Sequence, residues 1–104
     1  MNEKENAFLN VNCQDKNGQT ALMLSILEGH IDTVDILIGH NCNLDTQDDE
    51  GCTALMLAAY KGYIDVVNTL LTHKCRIDLQ DIDGLSVLMY AVGFNRKDIL
   101  LTRY

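Results

Sequence analysis

Apolar residues along the chain fall into short runs of helical spacing, separated by polar stretches that contain glycine. Leu22 and Ile26 in one run, and Leu55, Ala58 and Ala59 in a later one, lie three or four residues apart, the spacing that lines one face of a helix. A hydroxyl precedes each run. Thr20, Thr53 and, further on, Ser86 stand where the first free N–H groups of a helix need an acceptor, so helices are predicted to begin there. Gly29 and Gly62 close the first two helices, because glycine tolerates the left-handed backbone that ends a helix, and Asn95 takes that place in the third. A second helix follows, with its apolar face on Ile31, Val34, Leu37 and Ile38, and then on Ile64, Val66, Val67, Leu70 and Leu71. The stretches from Asn43 to Gly51 and from Arg76 to Gly84 are polar, turn-rich and extended, and read as hairpin loops.

These elements recur with a fixed period. Gly18, Gly51 and Gly84 stand 33 residues apart, each opening a similar phrase: Gly18-Gln-Thr-Ala-Leu-Met-Leu, Gly51-Cys-Thr-Ala-Leu-Met-Leu and Gly84-Leu-Ser-Val-Leu-Met-Tyr. Residues 15–47 and 48–80 match at 16 of 33 positions, and residues 81–104 match the second unit at 7 of 24, which marks the third as a degenerate, shortened copy. The expected organisation is a flank with a partial repeat at 1–14, full repeats at 15–47 and 48–80, and a truncated repeat at 81–104. A turn and two helices per 33-residue unit, with the phrase Asp-x-x-Gly-x-Thr-x-Leu, resembles the ankyrin repeat family over residues 10–104. Asn10-Val-Asn12 resembles the tail of a preceding repeat. The resemblance implies an all-α, ankyrin-type helix-turn-helix solenoid with short β-hairpin loops. It also has departures: Ala21, Ala54 and Val87 replace the family's usual proline, Met23, Met56 and Met89 its histidine, and Asn41 and Lys74 a glycine that ends the second helix.

Composition narrows the function. The 104 residues suit one small domain, and 47% hydrophobic with 22% charged residues is ordinary globular usage. Eight basic against fifteen acidic residues give a net charge of -7, the wrong sign for binding nucleic acid or an anionic membrane. Neither a membrane-length apolar run nor a signal layout at the N-terminus is present, so an intracellular, cytoplasmic location is expected, with the nucleus left open. Cys13, Cys42, Cys52 and Cys75 lack paired CxxC spacing and are read as reduced thiols.

His40-x-Cys42 and His73-x-Cys75 offer metal-competent side chains, but equivalent residues of stacked helices sit about 8–10 Å apart, too far to converge on one ion. No metal and no cofactor are expected. The resemblance implies that Cys42 and Cys75 fill a small-residue site, with the histidines capping or flanking the second helix. Cys52, whose equivalents are Gln19 and Leu85, is the one candidate reactive surface thiol, although no cation lies beside it in sequence. Catalysis is not expected. Packing is preferred to binding for the recurring methionines. Asp32, Asp65 and Asp98 suit the positive ends of second helices, and Asp15, Asp48 and Asp81 suit the turns as acceptors of backbone N–H groups.

The resemblance implies a non-catalytic protein-binding module whose contact surface is the hairpin tips and the outer residues of the first helices. Carried over position by position, the partner-binding residues are Gln14, Lys16, Asn17, Gln19, Leu27 and Glu28, then Gln47, Asp49, Glu50, Cys52, Tyr60 and Lys61, then Gln80, Ile82, Asp83, Leu85 and Phe94. Tyr60 and Phe94 are the expected anchors. An acidic rim at Asp49, Glu50 and Asp83 favours a partner protein with a basic surface, and a merely solvated loop is the alternative. Two other readings stay open: a structural segment of a longer array, and the substrate-recruiting part of an enzyme whose catalytic domain lies elsewhere. Clear polar caps are missing at both ends, so exposed apolar surface is expected on the first unit and on Val92, Ile99, Leu100 and Leu101, with marginal stability and end-to-end self-association as the consequence.

Overall fold

Threonine caps open the first helix of each full unit. In the computed structural model, which describes residues 11–93, Thr20 Oγ1 accepts the N–H of Met23 and Thr53 Oγ1 that of Met56, both at 3.3 Å. The helices that follow are α1 (Ala21–Glu28) and α3 (Ala54–Lys61). They end at Gly29 and Gly62, both left-handed with φ of 75° and 76°, as the sequence predicts. Second helices α2 (Ile31–Gly39) and α4 (Ile64–Thr72) run back, and α5 (Val87–Gly93) begins the third unit. Asn95, Asp98 and the apolar residues Ile99, Leu100 and Leu101 lie outside the described residues.

Asn41 and Lys74, where glycine was expected from the family pattern, adopt the left-handed conformation themselves, with φ of 58° and 61°. The chain closes α2 and α4 there in the usual paired way: Cys42 N–H reaches Leu37 O at 3.4 Å and Cys75 N–H reaches Leu70 O at 3.2 Å. His40 and His73 complete these ends. Each ring Nδ1 lies 2.8 and 2.9 Å from the carbonyls of Ile36 and Thr69, and because a carbonyl only accepts, each Nδ1 carries the proton.

Packing follows the period. α1 lies against α2 and α3, α3 against α4 and α5, and α2 against α4, so the first helices form one layer and the second helices another. Helix α3, held between both neighbouring first helices and α4, is buried from Ala54 through Ala59. Ala58, Ala59 and Ala91 are fully buried, and these small side chains let α3 and α5 approach closely. Leu22, Ile26, Val34, Leu55, Val67 and Leu70 complete the core, each large apolar side chain contributing about 1.5–3 kcal/mol by leaving water.

Packing also accounts for the methionines of the first two units. Met23 and Met56 are 1% exposed, and the sulfur of Met56 accepts the N–H of Thr53 at 3.5 Å, a weak bond at the position the family gives to histidine. Met89 departs from that expectation at 52% exposure, because no following first helix covers α5 among the described residues as α5 covers α3. Leu24, Ile36 and Val92 are likewise exposed.

The loops are turns without a ladder. Asp15 Oδ1 accepts the N–H groups of Asn17 and Gln19 at 2.9 Å, and Asp48 and Asp81 repeat this with Glu50 and Cys52 and with Asp83 and Leu85. No strand occurs among the described residues. Neighbouring tips share one backbone bond each, Asp49 N–H to Asn17 O at 3.1 Å and Ile82 N–H to Glu50 O at 2.9 Å.

Such an approach leaves no room for a side chain at the turn glycines. A Cβ on Gly18 would lie 2.8 Å from Asp49 N, and one on Gly51 would lie 2.7 Å from Ile82 N, whereas one on Gly84 meets nothing within 4 Å. All three glycines have φ near 80°. Gly84→Ala should therefore cost only the left-handed penalty, about 1–2 kcal/mol. Gly51→Ala adds a backbone collision and should cost more, toward the top of the ~0.5–3 kcal/mol range of single substitutions. Urea unfolding of the two variants measures the difference, and equal losses would contradict close tip packing.

Candidate functional site

Between the second and third tips, bounded below by α3 and α5, lies a groove of about 450 Å³. The tips supply Glu50, Cys52, Asp81, Ile82, Asp83 and Leu85, helix α3 supplies Leu57 and Tyr60, and α5 supplies Tyr90. Six of these, Glu50, Cys52, Tyr60, Ile82, Asp83 and Leu85, are positions the sequence put forward for partner contact. Tyr60, Ile82 and Leu85 present much of their apolar surface to solvent, at 42%, 74% and 41% exposure.

A linked set of polar groups forms the floor. Tyr90 donates its hydroxyl hydrogen to Asp81 Oδ2 at 2.6 Å, so its oxygen is left to accept, and Cys52 Sγ lies 3.2 Å from it. The thiol is therefore the donor. Burial first, then the bonds to Asp81 and Cys52, holds the Tyr90 phenol protonated far above its ordinary range. The Tyr90 hydroxyl, aided by the N–H groups of Leu85 and Asp83 and opposed by some desolvation, pulls the Asp81 carboxyl below the usual aspartate value. The floor is thus fixed in one protonation state near neutral pH.

That floor corrects the reading of Cys52 as a candidate reactive surface thiol. Cys52 is half-buried, and its pKa is raised, chiefly by burial and further by the charges of Asp48, Asp81 and Glu50, with the Tyr90 bond offsetting part. A reactive thiolate needs the opposite surroundings. Cys75 is pushed up to about 11, by burial and by Asp45, and Cys42 is raised by burial. Cys42 is buried in the core, the small-residue role expected for it. Among the described residues no group of three or more His, Cys, Asp or Glu side chains is placed to hold a metal ion.

The remaining expected contact residues are dispersed. Lys16, Asn17 and Glu28 are exposed on the first unit, while Gln19 and Leu27 are half-buried there, Leu27 against the core. Asp49 is exposed with its N–H bound to Asn17, and Lys61 is half-buried at the end of α3. Gln14 and Gln47 are committed to the scaffold. Gln14 Nε2 donates to Gly18 O and across to Gln47 O at 2.8 and 3.2 Å, and Gln47 Nε2 donates to Gly51 O and Gln80 O at 2.9 Å. Gln80 is exposed, and Phe94 lies outside the described residues.

Sequence reasoning missed Leu57 and Tyr90 as groove residues and gave Asp81 only a turn role. A signal for Tyr90 was present: it stands at the register position of Leu24 and Leu57, so a tyrosine replaces leucine and brings a hydroxyl under the tips. A second concavity, between residues 41–45 and 73–75, is lined by Cys42, Asp45, His73 and Cys75 among others. Asp45 Oδ1 is spent there on the N–H of Arg76 at 2.8 Å, and the exposed Arg76 guanidinium pairs with Asp78 at 2.9 Å.

A family model described as ankyrin repeats, in 3 copies, matches residues 4–81. The match reaches into the N-terminal flank and stops at the third turn. No curated protein matches the chain.

Two outcomes follow from the titrating groups. At pH 8 a thiol of pKa about 11 is ionised in only about one molecule in a thousand. An alkylating reagent should therefore label exposed Cys13 well before Cys75 or Cys52, and mass spectrometry of timed samples checks the order. Asp81, with its folded pKa lowered, contributes stability that is complete above the unfolded aspartate value of about 3.9 and is lost as pH falls through the lower folded value. Tyr90→Phe should then be less stable at pH 7 and lose less of its stability on acidification. An acid limb identical to that of the wild type would show that the hydroxyl does not hold Asp81.

Proposed function

The chain belongs to the ankyrin repeat family, and we propose that it acts as a non-catalytic adaptor that binds a partner protein across its turn tips and first-helix faces. Ankyrin repeats are in general protein–protein interaction modules and typically carry no catalysis. One observation supports the finer reading. Six positions chosen by their place in the repeat converge on one groove with exposed aromatic and aliphatic walls. Aromatic side chains that bury much area at small entropic cost dominate interface energetics, and Tyr60 is such a side chain. The charge of -7 supports a basic partner over nucleic acid. Four unpaired cysteines suit the reducing interior of a cell, the location we assign to it. No helix among the described residues is long and apolar enough to cross a membrane.

A second reading, end-to-end association with another repeat stack, is favoured by the third tip. Its Gly84 is open where Gly18 and Gly51 are covered, Met89 and Val92 are exposed, and the Gln80 amide makes no bond among the described residues. Sedimentation across a concentration series separates a monomeric adaptor from a self-associating one.

Tyr60→Ala tests the main reading. Partner proteins retained by the immobilised wild-type chain should be lost by the variant, while its circular dichroism shows the helices retained. Equal retention by both would remove the groove from the binding surface.

A further inference from the structure

We propose that the groove takes an extended segment of the partner in which an Arg or Lys stands beside a large apolar residue. The cation lies between Glu50 and Asp83, and the apolar side chain rests on Ile82 and Leu85. The proposal deepens the interaction reading above and rests on it.

Charge is the first argument. The charged groups lining the groove are all acidic, and Lys61, the next residue after Tyr60 on α3, is not among them. The three acids are not equivalent. Asp81 is used up, since its oxygens accept the N–H groups of Asp83 and Leu85 and the Tyr90 hydroxyl. The carboxylates of Glu50 and Asp83 are exposed and make no hydrogen bond or ion pair among the described residues. They face the same concavity from adjacent tips, which the Ile82 N–H to Glu50 O bond holds together at 2.9 Å. Two uncompensated like charges on one rim favour a cation from outside.

Acidity alone would not make a site; the walls add the second argument. Ile82 is 74% exposed, more than any other large hydrophobic residue of the described chain, and Leu85 and Tyr60 present further apolar surface in the same groove. A tyrosine face beside a carboxylate suits a cation twice, through its ring quadrupole and by covering the aliphatic stem of Arg or Lys. The floor adds no positive charge, because the Cys52 thiol donates to Tyr90 and Tyr90 to the Asp81 carboxylate, whose oxygens are already taken. Size supplies the third argument. About 450 Å³ lies in the lower part of the range of ligand sites, roughly 300–1,000 Å³, and seats a few side chains rather than a folded surface.

The test selects ligands without presuming them. A display library of random linear peptides, panned on the full chain at low salt, should be enriched in sequences with Arg or Lys adjacent to a large apolar residue. A synthetic peptide from that pool should lose about tenfold in affinity toward the Glu50→Gln/Asp83→Asn double variant, and should also weaken as salt rises. Because neither carboxylate holds a bond among the described residues, the double variant should unfold at the wild-type urea concentration. Enrichment of peptides without a basic residue overturns the proposal. Peptides that Tyr60→Ala abolishes but the double variant and salt leave unchanged overturn it too, while sparing the interaction reading. Peptides indifferent to all three substitutions, or none selected at all, sink both.

Discussion

Successive units are set against each other by the approach of one turn to the next. At Gly18 and Gly51 the backbone of the following tip sits where a Cβ would have to be, and only that spacing lets Asp49 and Ile82 donate to the carbonyls of Asn17 and Glu50. Each turn is itself held by an aspartate that accepts two of its own N–H groups, which fixes where the glycine sits. Side chains then extend the stitching along the stack. Gln14 and Gln47 each donate to a carbonyl 33 residues further on, while Asn12 and Asp45 accept the N–H groups of Asn43 and Arg76, 31 residues on. Beneath the tips the first helices lie side by side, with Ala58, Ala59 and Ala91 fully buried.

Such a lattice divides the residues by use. Positions that recur, the turn aspartate and glycine, the hydroxyl cap and, in Gln14 and Gln47, the glutamine, are consumed by the scaffold. Those that vary are left to face outward, and between the second and third tips enough of them face one space to make a groove. Tyr90 is the hinge of that arrangement. By standing where Leu24 and Leu57 stand in the other units, it ties Asp81 to Cys52 and turns the thiol into a donor within a floor of fixed protonation. What the tips then present is apolar wall and unspent carboxylate.

The helix boundaries were legible because they depend on local rules. Thr20 and Thr53 cap as hydroxyls do before an apolar run, and Gly29 and Gly62 are left-handed as glycine permits. Asp15, Asp48 and Asp81 were legible as turn acceptors for the same reason: donor and acceptor lie within four residues. The exposure of Met89 was not, since it depends on what lies above α5. Neither was the use of Gln14 and Gln47, whose second acceptor is 33 residues away.

By itself, then, the sequence determined the period, the elements within it and the residues free to vary, because each of these follows from patterns inside one unit. Tertiary structure decided which variable residues share a space and in what state. Glu50 and Asp83 come from different units, and so do Cys52 and Tyr90. Their meeting, and the protonation it imposes on Cys52, depend on the offset between stacked tips, a distance that no single unit encodes.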